Sequence, residues 1–484
     1  MSELRSRTYH GALWSAIDAV GARFLQFVIG IILARLLTPA EFGVVGMLAI
    51  FIAVSQALLS SGFVSALIQK EEVAPEDSSS VFYFNIGISL VLVCMYWLTA
   101  PWVASFYGQP LLVPLARALS VVVIVSAFSV VQSAMLTRNM DFQIQTKVSL
   151  ASGIGSGAIG IFMAYRGFGV WSLIAQQISA AVLRTVLYWM FNNWRPQLVF
   201  SLDALRRMFK FGSRILTSSV LSQVAQNIHY VVIGRLFSPA ALGFYTRARQ
   251  MEKLPSTTLT SVVSRVIFPA FSKMQTDDAR LKAGLRKAVT VLMLVSAPVM
   301  IGLAAVAEPL VLVLLTDTWL PSVPYLQLLC LVALTLPLRV LNKNVLYAKG
   351  RSDLALRIDM IDKGLTFLGI AVAWRWGIMG LIVAQLVGAL ITLLVTFHQT
   401  KKIVGYGVLE QLTDVAPYLG FAFVMGAVVS LLGHLSSIGA LPLLLFQIGA
   451  GVAAYLCLCC VFRPSAFREV WGYVRPFVRT RRFF

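Results

Sequence analysis

Acid is scarce in this chain. It holds 20 Asp and Glu against 40 Lys and Arg, and charged residues of both signs occupy only 12% of its 484 positions. A soluble domain carries about 25% charged residues, so an ordinary water-soluble globule is excluded. Histidine is scarcer still. His10, His229, His398 and His434 are scattered, and no two stand four apart as a ligand pair would. The five cysteines, Cys94, Cys330, Cys457, Cys459 and Cys460, have neither zinc nor disulfide-framework spacing, and they read as small packing residues in apolar runs. No G-x-x-x-x-G-K-[ST] segment occurs, so the chain does not read as an ATPase. No paired-carboxylate, Ser/His/Asp or metal constellation stands out, so no catalytic centre, metal or cofactor is expected. The segment Gly155-Ser156-Gly157-Ala158-Ile159-Gly160 fits G-x-G-x-x-G, but no strand precedes it. Its overlapping Gly153-x-x-x-Gly157 spacing reads instead as a site of close helix approach.

Apolar sequence is abundant: 58% of the residues are hydrophobic. Runs of roughly 20 residues, each long enough to cross a bilayer, recur along the whole length. The spacing predicts fourteen helices, from 13–36 and 42–68 through 322–348 and 357–374 to 415–433 and 440–462. Short links such as Leu37-Thr38-Pro39 and Arg166-Gly167-Phe168-Gly169 join them. With both termini placed in the cytoplasm, the inner segments hold 25 of the 40 Lys and Arg, while the outer links and their edges hold only Arg35, Arg166, Arg235 and Arg375. That asymmetry fits the positive-inside rule and makes the net charge of +20 chiefly a topology signal. The basic tail after 462 reads as an anchor on anionic headgroups. Nucleic acid is not an expected partner, because no soluble domain presents a basic face.

A repeat runs through the chain. Ala34-Arg35-Leu36-Leu37-Thr38-Pro39-Ala40-Glu41-Phe42-Gly43 returns 200 residues later as Gly234-Arg235-Leu236-Phe237-Ser238-Pro239-Ala240-Ala241-Leu242-Gly243. An even number of spans separates the copies, so both point the same way. The expected fold is an all-α integral membrane protein of about 14 transmembrane helices. It has two parallel six-helix lobes around a central cavity, plus two extra C-terminal helices. The expected divisions are 1–200 for the N-terminal lobe, 201–400 for the C-terminal lobe, 401–462 for helices 13 and 14, and 463–484 for the tail.

Eleven bases fall inside the predicted spans, against four acids: Asp18, Glu252, Asp359 and Asp362. A cation facing hydrocarbon costs about 2.5–3.5 kcal/mol on the lenient insertion scale, so water, phosphate or an anionic ligand must meet the surplus. Arg117, Arg214 and Arg265 lie near span ends and suit snorkelling. Arg23, Arg249, Lys253 and Arg339 lie deeper. Arg249 and Lys253 share one helix face, as do Arg339 and Lys343. Guanidinium forks and mobile ammonium groups together suit a diphosphate or an acidic sugar, so Arg23, Arg249, Lys253, Arg339 and Lys343 form the candidate anion site. Asp359 stands one turn before Lys363, the favourable order for a helical ion pair, and Lys343 and Asp362 are expected at similar depth. Asp18, Asp359, Asp362 and Lys363 are the candidates for ion coupling, with a structural tie between two helices as the competing reading. Pro255, Pro298 and Pro337 are expected inside helices, each with a kink.

Several segments together resemble one family. They are Ile32-Leu33-Ala34-Arg35-Leu36-Leu37-Thr38-Pro39 with Phe42-Gly43, Gly167-Phe168-Gly169-Val170-Trp171-Ser172-Leu173 with Ala175-Gln176-Gln177, and Gly243-Phe244-Tyr245-Thr246-Arg247-Ala248. Arg265-Val266-Ile267-Phe268-Pro269-Ala270-Phe271-Ser272 and Ala348-Lys349-Gly350-Arg351-Ser352-Asp353 follow in order. The chain resembles the Wzx-type polysaccharide flippases of the MOP superfamily, in the subgroup of the colanic acid exporters. The resemblance implies alternating access in the bacterial inner membrane. The implied cargo is an undecaprenyl-diphosphate-linked glycan, destined for exopolysaccharide, capsule or O-antigen. It implies membrane lipids, a polysaccharide polymerase and a chain-length regulator as partners. In the related lipid II flippases, arginines on helices 1 and 8 line the cavity and helices 13 and 14 shape a lipid groove. Arg23 and Arg249 or Lys253 are similar by position, whereas helix 2 here carries no arginine. Two other cargoes compete: organic cations, as in MATE-type exporters, and lipid II. The surplus of bases disfavours the first. An enzyme of the same pathway would be expected to carry a large outer loop, and the longest outer link here is 307–321.

Overall fold

The computed structural model describes residues 21–60, 62–70, 72–435, 439–469, 471 and 472. It is helical throughout, and no strand occurs among the described residues. Ten segments are long and apolar enough to cross a membrane, and three of them, Ala49–Gln69, Asp317–Ala348 and Ser352–Val404, hold more than one helix. Fourteen crossings are compatible with that pattern. Large apolar side chains stand exposed along the outer faces, as with Leu98, Trp102 and Tyr165. In water such an expanse would be anomalous; against lipid it is expected.

The chain divides into two compact units, Met1–Thr246 and Arg247–Phe484. The first unit contains α1 (21–36), α2 (Pro39–Met47), α3 (Ala49–Ser60), α4 (Phe63–Gln69), α5 (Pro75–Tyr107), α6 (Leu112–Arg138), α7 (Phe142–Tyr165), α8 (Val170–Phe191) and α9 (Leu202–Leu236). It also takes the opening turns of α10 (Pro239–Lys273). One core cluster joins α4, α5, α6 and α9 through Leu67, Val81, Phe82, Val131 and Ala204. Beside it Asp77, fully buried, forms an ion pair with Lys70 and stands 3.7 Å from Arg207.

The predicted single span 42–68 is broken twice. One break falls at Leu48. The other precedes α4, where Gly62 passes so close to α9 that a Cβ there would stand 3.1 Å from the carbonyl oxygen of Gly212. The glycines of α7 do what their spacing suggests. A Cβ on Gly153 or Gly157 would stand 2.9 Å from Leu25 or 2.4 Å from Ile29 of α1, so these positions admit the neighbouring helix.

Both copies of the repeat make the same structure. Thr38 caps α2 through a capping box with Glu41, whose carboxylate accepts the Thr38 N–H at 2.7 Å. Ser238 caps α10 by accepting the N–H of Ala241 at 3.2 Å, and alanine there leaves the box half made. Each helix begins with proline, Pro39 and Pro239. The two starts meet reciprocally: a Cβ on Gly43 would lie 1.7 Å from the Pro239 oxygen, and one on Gly243 would lie 1.9 Å from the Pro39 oxygen. Only glycine permits so close an approach of two backbones.

The second unit holds the rest of α10 with α11 (Asp278–Ala305), α12 (Ala307–Leu314), α13 (Val323–Ala333), α14 (Thr335–Ala348), α15 (Ser352–Ala373), α16 (Gly377–Val404), α17 (Val408–Leu435) and α18 (Ala440–Phe462). Here α11 packs on α17 and α15 on α16. Asn342 and Gln411 exchange side-chain hydrogen bonds of 3.0 and 3.1 Å in the interior, tying α14 to α17. In the link before α17, Tyr406 donates to Asp414 at 2.7 Å, and burial pushes its phenol above the ordinary tyrosine value. The predicted span 322–348 is interrupted at Leu334. Pro337 therefore lies in the first turn of α14, not inside a helix as its position suggested. Its ring would clash with the carbonyl of Ala333, and α13 ends there. Pro255 and Pro298 do lie inside α10 and α11.

Candidate functional site

The deep bases of the second unit lie on two helices. On α10, Arg249 is half-buried and stands 3.8 Å from Glu252, one turn on. Glu252 is buried and accepts a 2.7 Å hydrogen bond from Ser256. Lys253 on the same helix is exposed. Arg247 is buried, donates to Gln250 at 2.8 Å, and lies 5.9 Å from the centre of the Trp319 ring. α10 thus carries three bases and one acid within two turns, so positive charge dominates this stretch.

On α14 the bases meet acids of α15. Arg339 donates to Asp362 at 2.7 Å and Lys343 to Asp359 at 2.6 Å, with all four side chains partly exposed. The helices run antiparallel, so the base one turn further along α14 meets the acid one turn earlier on α15. The expected neighbours, Lys343 and Asp362, are thereby each given a different partner. Lys363 is half-buried on α15. Just beyond, Leu346 of α14 packs on Leu354, Ala355 and Ile358 of α15, which fixes the register of the two ion pairs. Arg23 is exposed on α1 in the first unit. Asp18 lies outside the described residues.

A second polar feature escapes the sequence reading. The first unit carries an open cleft of about 650 Å3 walled by α3, α4, α6, α7 and α8, with Ser60, Ile68 and Arg184 exposed along it. Its polar side chains come as helical stripes: Gln56 and Ser60 on α3, Ser126, Ser129, Ser133 and Thr137 on α6, Gln145 and Ser149 on α7, Gln177 and Arg184 on α8. Gln56 donates to Ser126 at 3.2 Å, and Gln145 to Thr137 at 2.8 Å. Leu136, Val148 and Tyr188 pack together where α6, α7 and α8 meet. Among the described residues no carboxylate lines the cleft, and Arg184 makes no ion pair or hydrogen bond. The signal was available in the spacing, since Ser126, Ser129, Ser133 and Thr137 recur at three and four residues. A search guided by charge alone passes over it.

Comparison with known proteins gives a consistent result. The model of the family described as "Polysaccharide biosynthesis protein" matches residues 32–324. The chain is 29% identical over 400 residues to the teichuronic acid biosynthesis protein TuaB of Bacillus subtilis (strain 168), an alignment covering 79% of this chain and 82% of that one. It is 26% identical over 410 residues to the lipopolysaccharide biosynthesis protein WzxC of Escherichia coli (strain K12), covering 83% and 82%. Among solved structures it is similar to the lipid II flippase MurJ in an inward closed conformation. The TM-score is 0.75 and the identity 16%, over 95% of this chain and 99% of that one. At that identity the likeness concerns the fold.

Proposed function

The chain belongs to the polysaccharide biosynthesis protein family, and from that premise we propose that it is a flippase for an undecaprenyl-diphosphate-linked oligosaccharide. The cargo crosses the bacterial inner membrane by alternating access and leaves chemically unchanged, to be assembled into exopolysaccharide, capsule or O-antigen. A polymerase and a chain-length regulator act after it. The single observation that carries this reading is the family match, which spans residues 32–324. The surplus of bases in membrane-spanning sequence supports it. Both termini lie in the cytoplasm on this reading, because that orientation keeps most Lys and Arg on the inner side.

The basic residues take distinct parts. Arg249 and Lys253, one turn apart on α10, receive the diphosphate, the guanidinium as a fork and the ammonium as a mobile charge. Arg339 and Lys343 exchange Asp362 and Asp359 for phosphate oxygens as the cargo arrives, and Arg23 adds charge from α1. The carboxylates thus released, with Asp18 and Lys363, are the groups through which an ion gradient acts. Residues 1–200 and 201–400 serve as the moving lobes, 401–462 as the groove for the lipid tail, and 463–484 as the basic anchor.

The double variant Arg249→Ala with Lys253→Ala tests the site. It should abolish surface polysaccharide while the protein stays at normal abundance in the membrane. Unchanged export would assign the pair a structural role and remove the anion site from α10.

A further inference from the structure

The polar cleft of the first unit does not belong to the cationic set on α10 and α14. Its walls carry hydroxyls and carboxamides at membrane depth, many of them satisfied within the unit, as with Gln56 on Ser126 and Gln145 on Thr137. Its volume of about 650 Å3 falls within the 300–1,000 Å3 or so that ligand pockets occupy. It exists because its lining is small. Ser126, Ser129 and Ser133 on α6 and Ala180 and Ala181 on α8 all line it, and larger residues there would reduce the space.

The chemistry of the lining selects a ligand. The hydroxyls of Ser60, Ser129 and Thr137 donate to carbonyls of their own helices and keep lone pairs to accept from a ligand, while carboxamides such as that of Gln177 supply two donors and an acceptor. Together they match a molecule that presents many hydroxyls in varied directions. The apolar patches at Val64, Val122 and Val130 suit the C–H faces of a sugar ring. Arg184, exposed at the cleft, adds one positive charge, with no carboxylate among the described lining residues to neutralise it. That excludes an organic cation and leaves a guanidinium able to grip a carboxylate bidentately. The absence of acid and histidine from the lining also argues against a metal.

We propose that this cleft is a carbohydrate subsite that holds an acidic sugar residue of the cargo, with Arg184 on its carboxylate and the Gln and Ser side chains on its hydroxyls. The proposal rests on the flippase reading and deepens it. The diphosphate goes to the bases of the second unit, and a uronic acid-type residue of the glycan goes to the first.

Saturation-transfer NMR on the purified full chain tests it, with D-glucuronate, D-glucose and acetate as probes. The parent protein should transfer saturation to glucuronate more strongly than to glucose, and to acetate hardly at all. Arg184→Gln should weaken glucuronate by roughly tenfold, the loss expected for one charge-assisted contact, and bring it level with glucose. Arg184→Lys should keep part of the preference. Ser133→Leu and Ala180→Leu each fill the cleft and should remove both sugars, with thermal unfolding checking that each variant folds. The proposal is overturned if the parent binds neither sugar, or if the filled-cleft variants bind both as before. The flippase reading fails separately, if cells lacking this chain keep their surface polysaccharide; the α10 double variant, whose cleft is untouched, should bind glucuronate as the parent does.

Discussion

At the scale of single residues, the ion pairs of α14 and α15 decide how much of the positive charge is available. Arg339 and Lys343 are held at 2.7 and 2.6 Å by Asp362 and Asp359, so an anion reaches them only by displacing an acid. Such a pair is worth about 1.5–3 kcal/mol when hydrogen-bonded to a charge, less where water reaches it. Asp362→Ala should lower the thermal unfolding temperature in detergent, and Arg339→Asp combined with Asp362→Arg should recover most of the loss. No recovery in the swapped protein would mean that Arg339 is needed where it stands for something other than the pair. Asp77 provides a contrast. It is buried between Lys70 and Arg207 near the start of α5, in a cluster whose role is to tie helices together.

Among elements, the reciprocal meeting of the two repeat copies is the tightest constraint in the first unit. Both helix starts carry a cap, a proline and a glycine in the same order, and each glycine admits the other's proline carbonyl. A methyl group at Gly43 would lie 1.7 Å from a backbone oxygen, so the helices must part to accept it. Overpacking of this kind costs about 1–3 kcal/mol. Gly43→Ala and Gly243→Ala should each reduce thermal stability and membrane abundance. Gly87→Ala on α5, where a Cβ meets nothing within 4 Å, should be neutral or slightly stabilising because alanine is the better helix former. Equal behaviour of all three variants would show that the close approach is not a constraint in solution.

At the scale of the whole molecule, the proposed coupling makes a prediction about driving force. Reconstituted into liposomes, the protein should move lipid-linked oligosaccharide faster under a proton or sodium gradient than without one. Asp359→Asn with Asp362→Asn should erase the difference. Equal rates with and without gradients would leave the two acids as struts between α14 and α15. A single passage of cargo then needs no more than its own concentration difference across the bilayer.

The sequence alone determined the class of this protein. Apolar length, the shortage of acid, the sidedness of Lys and Arg and the 200-residue repeat are local or additive properties, and each survives any rotation of one helix about its axis. Tertiary structure decided the rest. Whether Lys343 meets Asp362 or Asp359, whether 322–348 is one helix or two, and whether the Ser and Gln stripes of α3, α6, α7 and α8 face lipid or one another depend on axial rotation and crossing distance. Those are set by side chains on other helices, such as Leu25 and Ile29 against the glycines of α7. A turn of one helix by a single residue, about 100°, would move every one of these groups to a different neighbour while leaving the hydrophobic pattern unchanged.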